Sequence, residues 1–153
     1  MFRRQPPQQE QSLLDKHVDT VGQILISLNV NPAKARMETD QGYGWSFLRG
    51  STLIEVYLTA YSGREYLQVL SPLLHVPTGG LLPLYRRLLE LNLSLTNASL
   101  GLYLDVVYVF NERPLDGLDA TEANFIITQI AEYADDIDNQ IVNEFGGRLY
   151  SQV

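Results

Sequence analysis

The stretch Thr52-Leu-Ile-Glu-Val-Tyr-Leu-Thr-Ala-Tyr61 decides the fold, because its side chains alternate between two sets. One set is aliphatic and comprises Ile54, Val56, Leu58 and Ala60, whereas the other comprises Leu53, Glu55, Tyr57, Thr59 and Tyr61. A period of two that is rich in β-branched and aromatic residues is typical of a strand with one buried side. The sequence therefore predicts a half-buried strand here, with the aliphatic set facing the core.

Two shorter alternating segments flank this strand. Residues 43–48 precede it across Arg49-Gly50-Ser51, and residues 66–70 follow it across Ser62-Gly63-Arg64. Turns as short as these predict a meander of three antiparallel strands. Pro72 and Pro77 lie at the far end of the third segment. Because proline has no amide hydrogen to donate, they predict that this strand frays and forms an edge of the sheet.

The remaining sequence predicts three helices and one further hairpin. Apolar residues spaced three and four apart predict helices over residues 12–28, 81–95 and 119–145. Residues 100–104 and 106–110 alternate and predict a hairpin that turns tightly at Asp105. The order α-β-β-β-α-β-β-α predicts an α+β fold, in which helices pack on an antiparallel five-stranded sheet. We expect a single domain over residues 12–153, preceded by a flexible arm over residues 1–11.

Composition and charge exclude several classes of function. The chain has 153 residues, 45% of them hydrophobic, and no cysteine, so disulfides and thiolate chemistry are excluded. No apolar run has the length of a membrane span, and the first residues do not resemble a secretory signal, which favours a cytoplasmic protein. The net charge of −7 lies entirely between residues 119 and 145, where acidic residues stand without any lysine or arginine. Because this segment repels phosphate backbones, we expect no nucleic-acid partner. In the absence of a membrane-spanning run, we expect no membrane partner either.

The sequence shows no arrangement of residues that predicts catalysis. His17 and His75 have no serine partner nearby in the sequence, so structural roles are favoured for both. Asp135, Asp136 and Asp138 suggest a calcium loop, but they fall in a helical pattern that has isoleucine where such a loop needs glycine. A solvated helix face is the favoured interpretation. We therefore expect no catalytic residue, no metal and no cofactor.

Aromatic residues gather on the side of the predicted strands that is not aliphatic. When side chains are assigned to alternate sides of each strand, this side contains Tyr57, Tyr61, Tyr66, Tyr103, Tyr108 and Phe110. One interpretation is that aromatic pairs across neighbouring strands stabilise the sheet. The other is that the five tyrosines form a partner-binding face, because tyrosine is enriched where proteins contact one another.

The second predicted helix is apolar on more sides than a surface helix requires. The commoner role for such leucines is in the core. Leu81, Leu82, Tyr85 and Leu89 are nevertheless our candidates for a homodimer interface, since apolar residues in excess of the core requirement mark contacts between subunits.

One stretch, together with the order of elements, resembles a known family. It runs from Gly101-Leu-Tyr-Leu-Asp105 through Val106-Val-Tyr108 and Leu115-Asp-Gly-Leu118 to Ala134-Asp-Asp-Ile137, and it ends at Phe145-Gly-Gly147. These segments resemble the YbjN-domain family, whose fold is similar to that of the type III secretion chaperones. The resemblance implies a small, acidic, often dimeric protein that binds other proteins and is sometimes described as a sensory-transduction regulator. It provides no catalytic residues to carry over.

Three functional hypotheses follow from these observations. The first is a non-enzymatic protein-binding module, a regulator or chaperone of a partner protein. The alternative is a small-ligand-binding protein or an enzyme with a pocket between sheet and helices, in which His17 or His75 would take part. In the third, the acidic final helix imitates nucleic acid and binds a basic protein.

Overall fold

The computed structural model describes residues 14–40 and 42–150, in which helices pack on one antiparallel sheet. The helices are α1 (Val18–Ser27), α2 (Pro32–Ala35), α3 (Leu81–Asn92) and α4 (Ala120–Phe145). The strands are β1 (Arg36–Met37), β2 (Tyr43–Arg49), β3 (Thr52–Tyr61), β4 (Arg64–His75), β5 (Ser99–Tyr103), β6 (Val106–Pro114) and β7 (Arg148–Leu149). The strand order is β1-β2-β3-β4-β6-β5, and β7 pairs with β4 beyond the end of β3. The predicted α+β class is thereby confirmed.

The sheet has seven strands, where the sequence predicted five. The five predicted strands correspond to β2 through β6, and the additional strands β1 and β7 have two residues each. Two residues are too few to show an alternating pattern, so these strands could not be predicted from the periodicity of the sequence. The predicted arm over residues 1–11 lies outside the described residues, as do Ser12 and Leu13 at the predicted start of the first helix.

The prediction that the third strand of the meander forms a sheet edge is wrong. This strand, β4, pairs with β3 on one side and with β6 on the other, and it continues through Pro72 to His75. The register of the β4–β6 pair shifts between Pro72 and Leu74. An irregularity of this kind accommodates a residue that cannot donate to the ladder, so proline is tolerated in a central strand.

The hairpin between β5 and β6 turns through two residues, as predicted. Leu104 and Asp105 both have positive φ, at 47° and 64°. This conformation of both central residues matches the twist of the flanking strands and gives a tight two-residue turn.

The long final helix has the boundaries that its sequence indicated. Asp119 caps it, with its Oδ1 accepting a hydrogen bond of 2.8 Å from the amide of Glu122. Gly146 and Gly147 follow its end with φ of 83° and 95°, a region that glycine enters without steric cost. Helix α1 begins at Val18; before it, Leu14 and Asp15 are helical, and a turn follows in which the His17 amide donates to the Leu14 carbonyl at 2.9 Å.

Within residues 14–40 and 42–150, the helices pack on one face of the sheet. The core contains Ile54, Val56, Leu58, Val69, Leu74, Val107 and Val109 from the strands, Val21 and Leu25 from α1, Leu84 and Leu88 from α3, and Ile126, Ile127, Ile130, Ile137 and Ile141 from α4. Arg49 of β2 donates to Asn124 and Thr128 of α4, and Arg113 of β6 donates to Glu122. Apolar packing and these hydrogen bonds fix α4 across the sheet. The predicted aliphatic side is the helix-covered face.

Candidate protein-binding surfaces

The strand register places the tyrosines and a set of polar residues on the opposite side of the sheet. Tyr57 of β3 lies opposite Gln68 of β4, which in turn lies opposite Glu112 of β6. We call this side the tyrosine face. It comprises the side chains that point to this side from β3, β4, β5 and β6: Glu55, Tyr57, Thr59, Tyr61, Tyr66, Gln68, Leu70, Tyr103, Tyr108, Phe110 and Glu112.

The predicted binding residues differ in exposure along this face. Tyr61 and Tyr103 are 56% and 39% exposed, and they lie near opposite ends of the sheet. Tyr57 and Tyr66 are half-buried. Tyr108 is only 7% exposed, so it offers little area for contact in this state. The five tyrosines therefore form a graded surface, whose ends are more accessible than its centre.

An apolar cluster occupies the centre of the tyrosine face. Its buried members are Leu70, Val106 and Tyr108, and Tyr57, Phe110 and Tyr150 pack against them. Of the predicted tyrosines, the structure brings together Tyr57 and Tyr108. Tyr150 was not predicted, because its position depends on β7, which returns the chain to β4.

Polar groups run beside this cluster. The hydroxyl of Tyr57 donates to Oε2 of Glu55 at 2.9 Å, and Nε2 of Gln68 donates to Oε2 of Glu112 at 2.6 Å. Gln68 is only 2% exposed. In the described part of the chain, its Oε1 has no hydrogen-bond partner, and neither has Oγ1 of Thr59. We call Glu55, Tyr57, Thr59, Gln68 and Glu112 the polar stripe.

Burial changes the protonation chemistry of this region. Burial raises the pKa of Glu55, and the hydrogen bond from Tyr57 opposes the change only in part. The pKa of Tyr57 is raised by burial and by the neighbouring Glu55 carboxylate. Burial, followed by the same carboxylate, raises the pKa of Tyr108 to about 12. The face thus holds a carboxylate that has lost part of its hydration.

The polar stripe was not predicted from the sequence. In the predicted strands, Glu55 and Gln68 point to the same side of the sheet as the tyrosines, because they are separated from them by two positions. This alternation could have been used to predict that they lie on the tyrosine face. Glu112 lies beyond residue 110, where the predicted strand ended, and only the observed length of β6 brings it opposite Gln68.

The two histidines lie on opposite faces of the sheet. On the helix-covered face, Nε2 of His17 lies 3.5 Å from Oε1 of Glu65. His75 lies at the other end of β4, where the ring of Tyr150 stacks on it with centroids 5.5 Å apart and an angle of 8°. The space between sheet and helices is filled by aliphatic side chains. The convergent polar pocket that the small-ligand hypothesis requires is therefore not formed by these residues.

The second helix exposes part of its predicted interface. Leu82 and Leu89 are 80% and 68% exposed, whereas Leu81 and Tyr85 pack partly against the core. Leu93, just past the helix, is 91% exposed. Asn92 fixes the helix end to β5, because its side chain accepts from the Leu100 amide at 2.7 Å and donates to the Leu100 carbonyl at 3.5 Å. We call Leu82, Leu89 and Leu93 the leucine surface.

A further groove lies between α1, α2 and β2, which the sequence did not indicate. The guanidinium of Arg36 lies over the ring of Tyr43 at 4.2 Å and over that of Trp45 at 5.2 Å, in cation–π geometry. Ile26 lines this open groove together with Trp45 and is 54% exposed. The groove therefore offers apolar area beside a positive charge.

The described residues provide no group of three or more histidine, aspartate or glutamate side chains that could hold a metal ion. Over the same residues, none of the helices is both long and apolar enough to cross a membrane.

The fold is therefore a sheet with helices on one face and an apolar aromatic cluster on the other. The chain belongs to the family described as T3SS (YopN, CesT) and YbjN peptide-binding chaperone 1, whose profile matches residues 18–153. This family is one of protein-binding modules, which confirms both the resemblance found in the sequence and the functional class that it implied. No curated protein matches the chain significantly in sequence.

Solved structures share this fold at low sequence identity. A chain of the ExsC–ExsE complex aligns with a TM-score of 0.59 and 12% identity, covering 81% of this chain and 95% of the other. A chain of the HopA1–SchA chaperone–effector complex gives 0.57 and 17%, covering 88% and 99%. YbjN from E. coli gives 0.52 and 16%, covering 86% and 94%. At these identities the likeness establishes the fold.

Proposed function

We propose that the chain is a non-enzymatic, cytoplasmic binding module that holds an extended segment of a partner protein. The observation that carries this proposal is the tyrosine face, where an apolar centre lies beside hydrogen-bonding groups on a rigid sheet. Rigid aromatic side chains supply contact area at low entropic cost. Support comes from the peptide-binding family and from two similar structures that are complexes, one of them a chaperone–effector complex.

In this proposal, the five predicted tyrosines have two roles. Tyr61, Tyr66 and Tyr103 contact the partner from the more accessible ends of the face, while Tyr57 and Tyr108 form its apolar centre. An extended segment that crosses several strands would meet side chains of both kinds.

The proposed binding role is tested by affinity capture from native lysate followed by mass spectrometry. We expect a partner to co-purify with the wild-type chain and to be lost when Tyr61→Ser and Tyr103→Ser are combined. The control is Phe125→Ser, which removes an aromatic side chain that is 61% exposed on α4. A partner that is lost equally from both variants, or retained by both, contradicts the assignment to the tyrosine face.

We further propose that two copies associate through the leucine surface and its neighbours Leu81 and Tyr85. Three leucines more than two-thirds exposed on one side of α3 and its end are costly to leave in water. Light scattering is expected to give twice the mass of one chain, and Leu82→Glu with Leu89→Glu is expected to reduce it to that of a single chain. Phe125→Glu is the control, and a wild-type mass of one chain contradicts the proposal.

A further inference from the structure

We propose that the edge of β4 at Leu74 and His75 binds an extended partner segment in which a leucine is followed by an aromatic residue. The chain's own segment Arg148–Tyr150, which we call the strap, occupies this site and has to leave it before a partner binds. This inference rests on the proposed function and specifies where the bound segment enters the tyrosine face and which side chains it carries.

The pairing of the strands creates this site. On one edge of β4, Leu74 and His75 pair with β6. On the other edge, the register of β4 with β3 runs only to Leu70, which lies opposite Glu55. The strap takes up this second edge beyond β3, with Leu149 opposite Leu74. An edge that a paired segment of two residues fills offers the same backbone groups to another extended segment.

Tyr150 connects the strap to the tyrosine face. Its ring packs against the cluster of Leu70, Val106 and Tyr108, and it stacks on His75 with ring centroids 5.5 Å apart. Where a strand is added to a sheet, the main chain supplies affinity and the side-chain contacts supply specificity. The strap therefore shows the chemistry that the site accepts, which is backbone pairing, a leucine in the paired segment and an aromatic ring on the cluster.

Two features of the strap allow it to be exchanged. Only two of its residues pair with β4, and its three residues are all at least partly exposed. Gly146 and Gly147 join it to α4 with φ of 83° and 95°, a region that glycine enters without steric cost. Short terminal elements with exposed backbone bonds open at a lower free energy than core strands do. The strap can therefore leave β4 while α4 stays packed on the sheet.

A close approach of the backbone at Gly147 holds the strap in place. A Cβ atom added at Gly147 would overlap the carbonyl oxygen of His75, and it would also lie 3.4 Å from Cδ of Pro77. Because this oxygen belongs to the main chain, no side-chain rotation relieves the overlap. We therefore expect Gly147→Ala to displace the strap from β4 and to leave the side chains of the apolar cluster unchanged.

The probe is a fluorescein-labelled peptide with the sequence of residues 146–150, Gly-Gly-Arg-Leu-Tyr. By fluorescence anisotropy, we expect Gly147→Ala to bind it about tenfold more tightly than the wild type, whose attached strap competes at an effective concentration on the order of millimolar. A second peptide that ends in serine should bind Gly147→Ala about tenfold more weakly than the first, because it buries no ring.

The matched control is Gly117→Ala, which should bind the peptide as the wild type does. Gly117 has a φ of 74°, so alanine is strained there as it is at Gly147, but the added Cβ would meet nothing within 4 Å among the described residues. Equal peptide binding by the two alanine variants would overturn the inference. Equal affinity of Gly147→Ala for the tyrosine and serine peptides would overturn the requirement for an aromatic residue.

A disulfide that locks the strap tests the inference in the opposite direction. The chain has no cysteine, and Arg148 lies opposite His75 in an antiparallel pair, a spacing that a disulfide can span. The double variant His75→Cys with Arg148→Cys should bind the tyrosine peptide about tenfold more weakly when oxidised than when reduced. The wild type is the control and should not respond to the oxidant. This measurement also serves should Gly147→Ala fail to give a cooperative thermal transition.

The locked variant also separates this inference from its alternatives. Equal peptide binding by its oxidised and reduced forms would overturn the inference. A disulfide that joins two chains on a non-reducing gel would assign the edge to the strap of a second copy and overturn the choice of a partner segment. A partner captured equally by the oxidised variant and by the wild type would overturn this inference alone, because the partner would then bind the tyrosine face without displacing the strap.

Discussion

The two faces of one sheet differ in the side chains that fill them and in what covers them. The helix-covered face is aliphatic, and residues such as Ile54 and Leu58 are fully buried beneath the helices. The tyrosine face combines an apolar centre with hydrogen-bonded carboxylates and more exposed ends. Under the proposed function, the side chains that stabilise the fold and those that contact a partner alternate along the same strands. Each prediction below tests that division.

The largest effect is expected on the helix-covered face. Leu58→Ala should lower the free energy of unfolding by about 2 to 5 kcal/mol, because it leaves a cavity beneath the helices where Leu58 is completely buried. Urea unfolding followed by circular dichroism measures this loss. A loss below about 1 kcal/mol would mean that this face does not form the rigid core, since close-packed cores do not relax so freely.

A smaller loss of stability is expected at the N-terminus of α4, the long helix that packs on the helix-covered face. Asp119→Ala should cost about 1 kcal/mol, because it removes the acceptor for the Glu122 amide at the start of α4. The change is measured by the same urea unfolding. Asp119→Asn is the control, since asparagine retains an acceptor oxygen and should recover most of the loss. Equal destabilisation by alanine and asparagine would contradict the capping role.

The strand alternation made most of this division predictable. Residues 52–61 alone distinguished the aliphatic side from the tyrosine side, and the two-residue turn at Asp105 followed from the change of period. The sequence could not reveal β1 or β7, since two residues have no period. Pro72 led to the wrong prediction of an edge strand, because the shift of register that accommodates this proline depends on pairing with β6.

The polar stripe was harder to predict for a related reason. Its defining contact joins Gln68 to Glu112, which are far apart in sequence and become neighbours only through the pairing of β4 with β6. Likewise, Tyr150 reaches the apolar cluster only because β7 returns to β4. Local patterns identify which side a residue occupies, whereas contacts across non-consecutive strands decide what that side can bind.

Alkaline pH should affect the tyrosine face selectively. Burial raises the pKa of Tyr108 from 10.0 to about 12, so the folded chain retains a proton that the unfolded chain releases over this interval. The contribution of this phenol to stability is therefore fully present below pH 10 and is lost as the pH rises towards 12. We expect Tyr108→Phe to show a shallower loss of unfolding free energy over this range than the wild type does. Identical slopes in urea unfolding would contradict the burial of this hydroxyl.

The smallest change in stability is expected at the accessible ends of the tyrosine face. Tyr61→Ser combined with Tyr103→Ser should alter the free energy of unfolding by less than about 0.5 kcal/mol for each substitution, because exposed positions contribute little packing. Urea unfolding of the double variant and of Leu58→Ala under the same conditions compares their losses of unfolding free energy directly. A loss that approaches that of Leu58→Ala would show that cross-strand tyrosine contacts support the sheet. A near-neutral double variant that no longer retains a partner would instead assign the exposed tyrosines to recognition, because only a contact made outside the folded chain can be lost without cost to its stability.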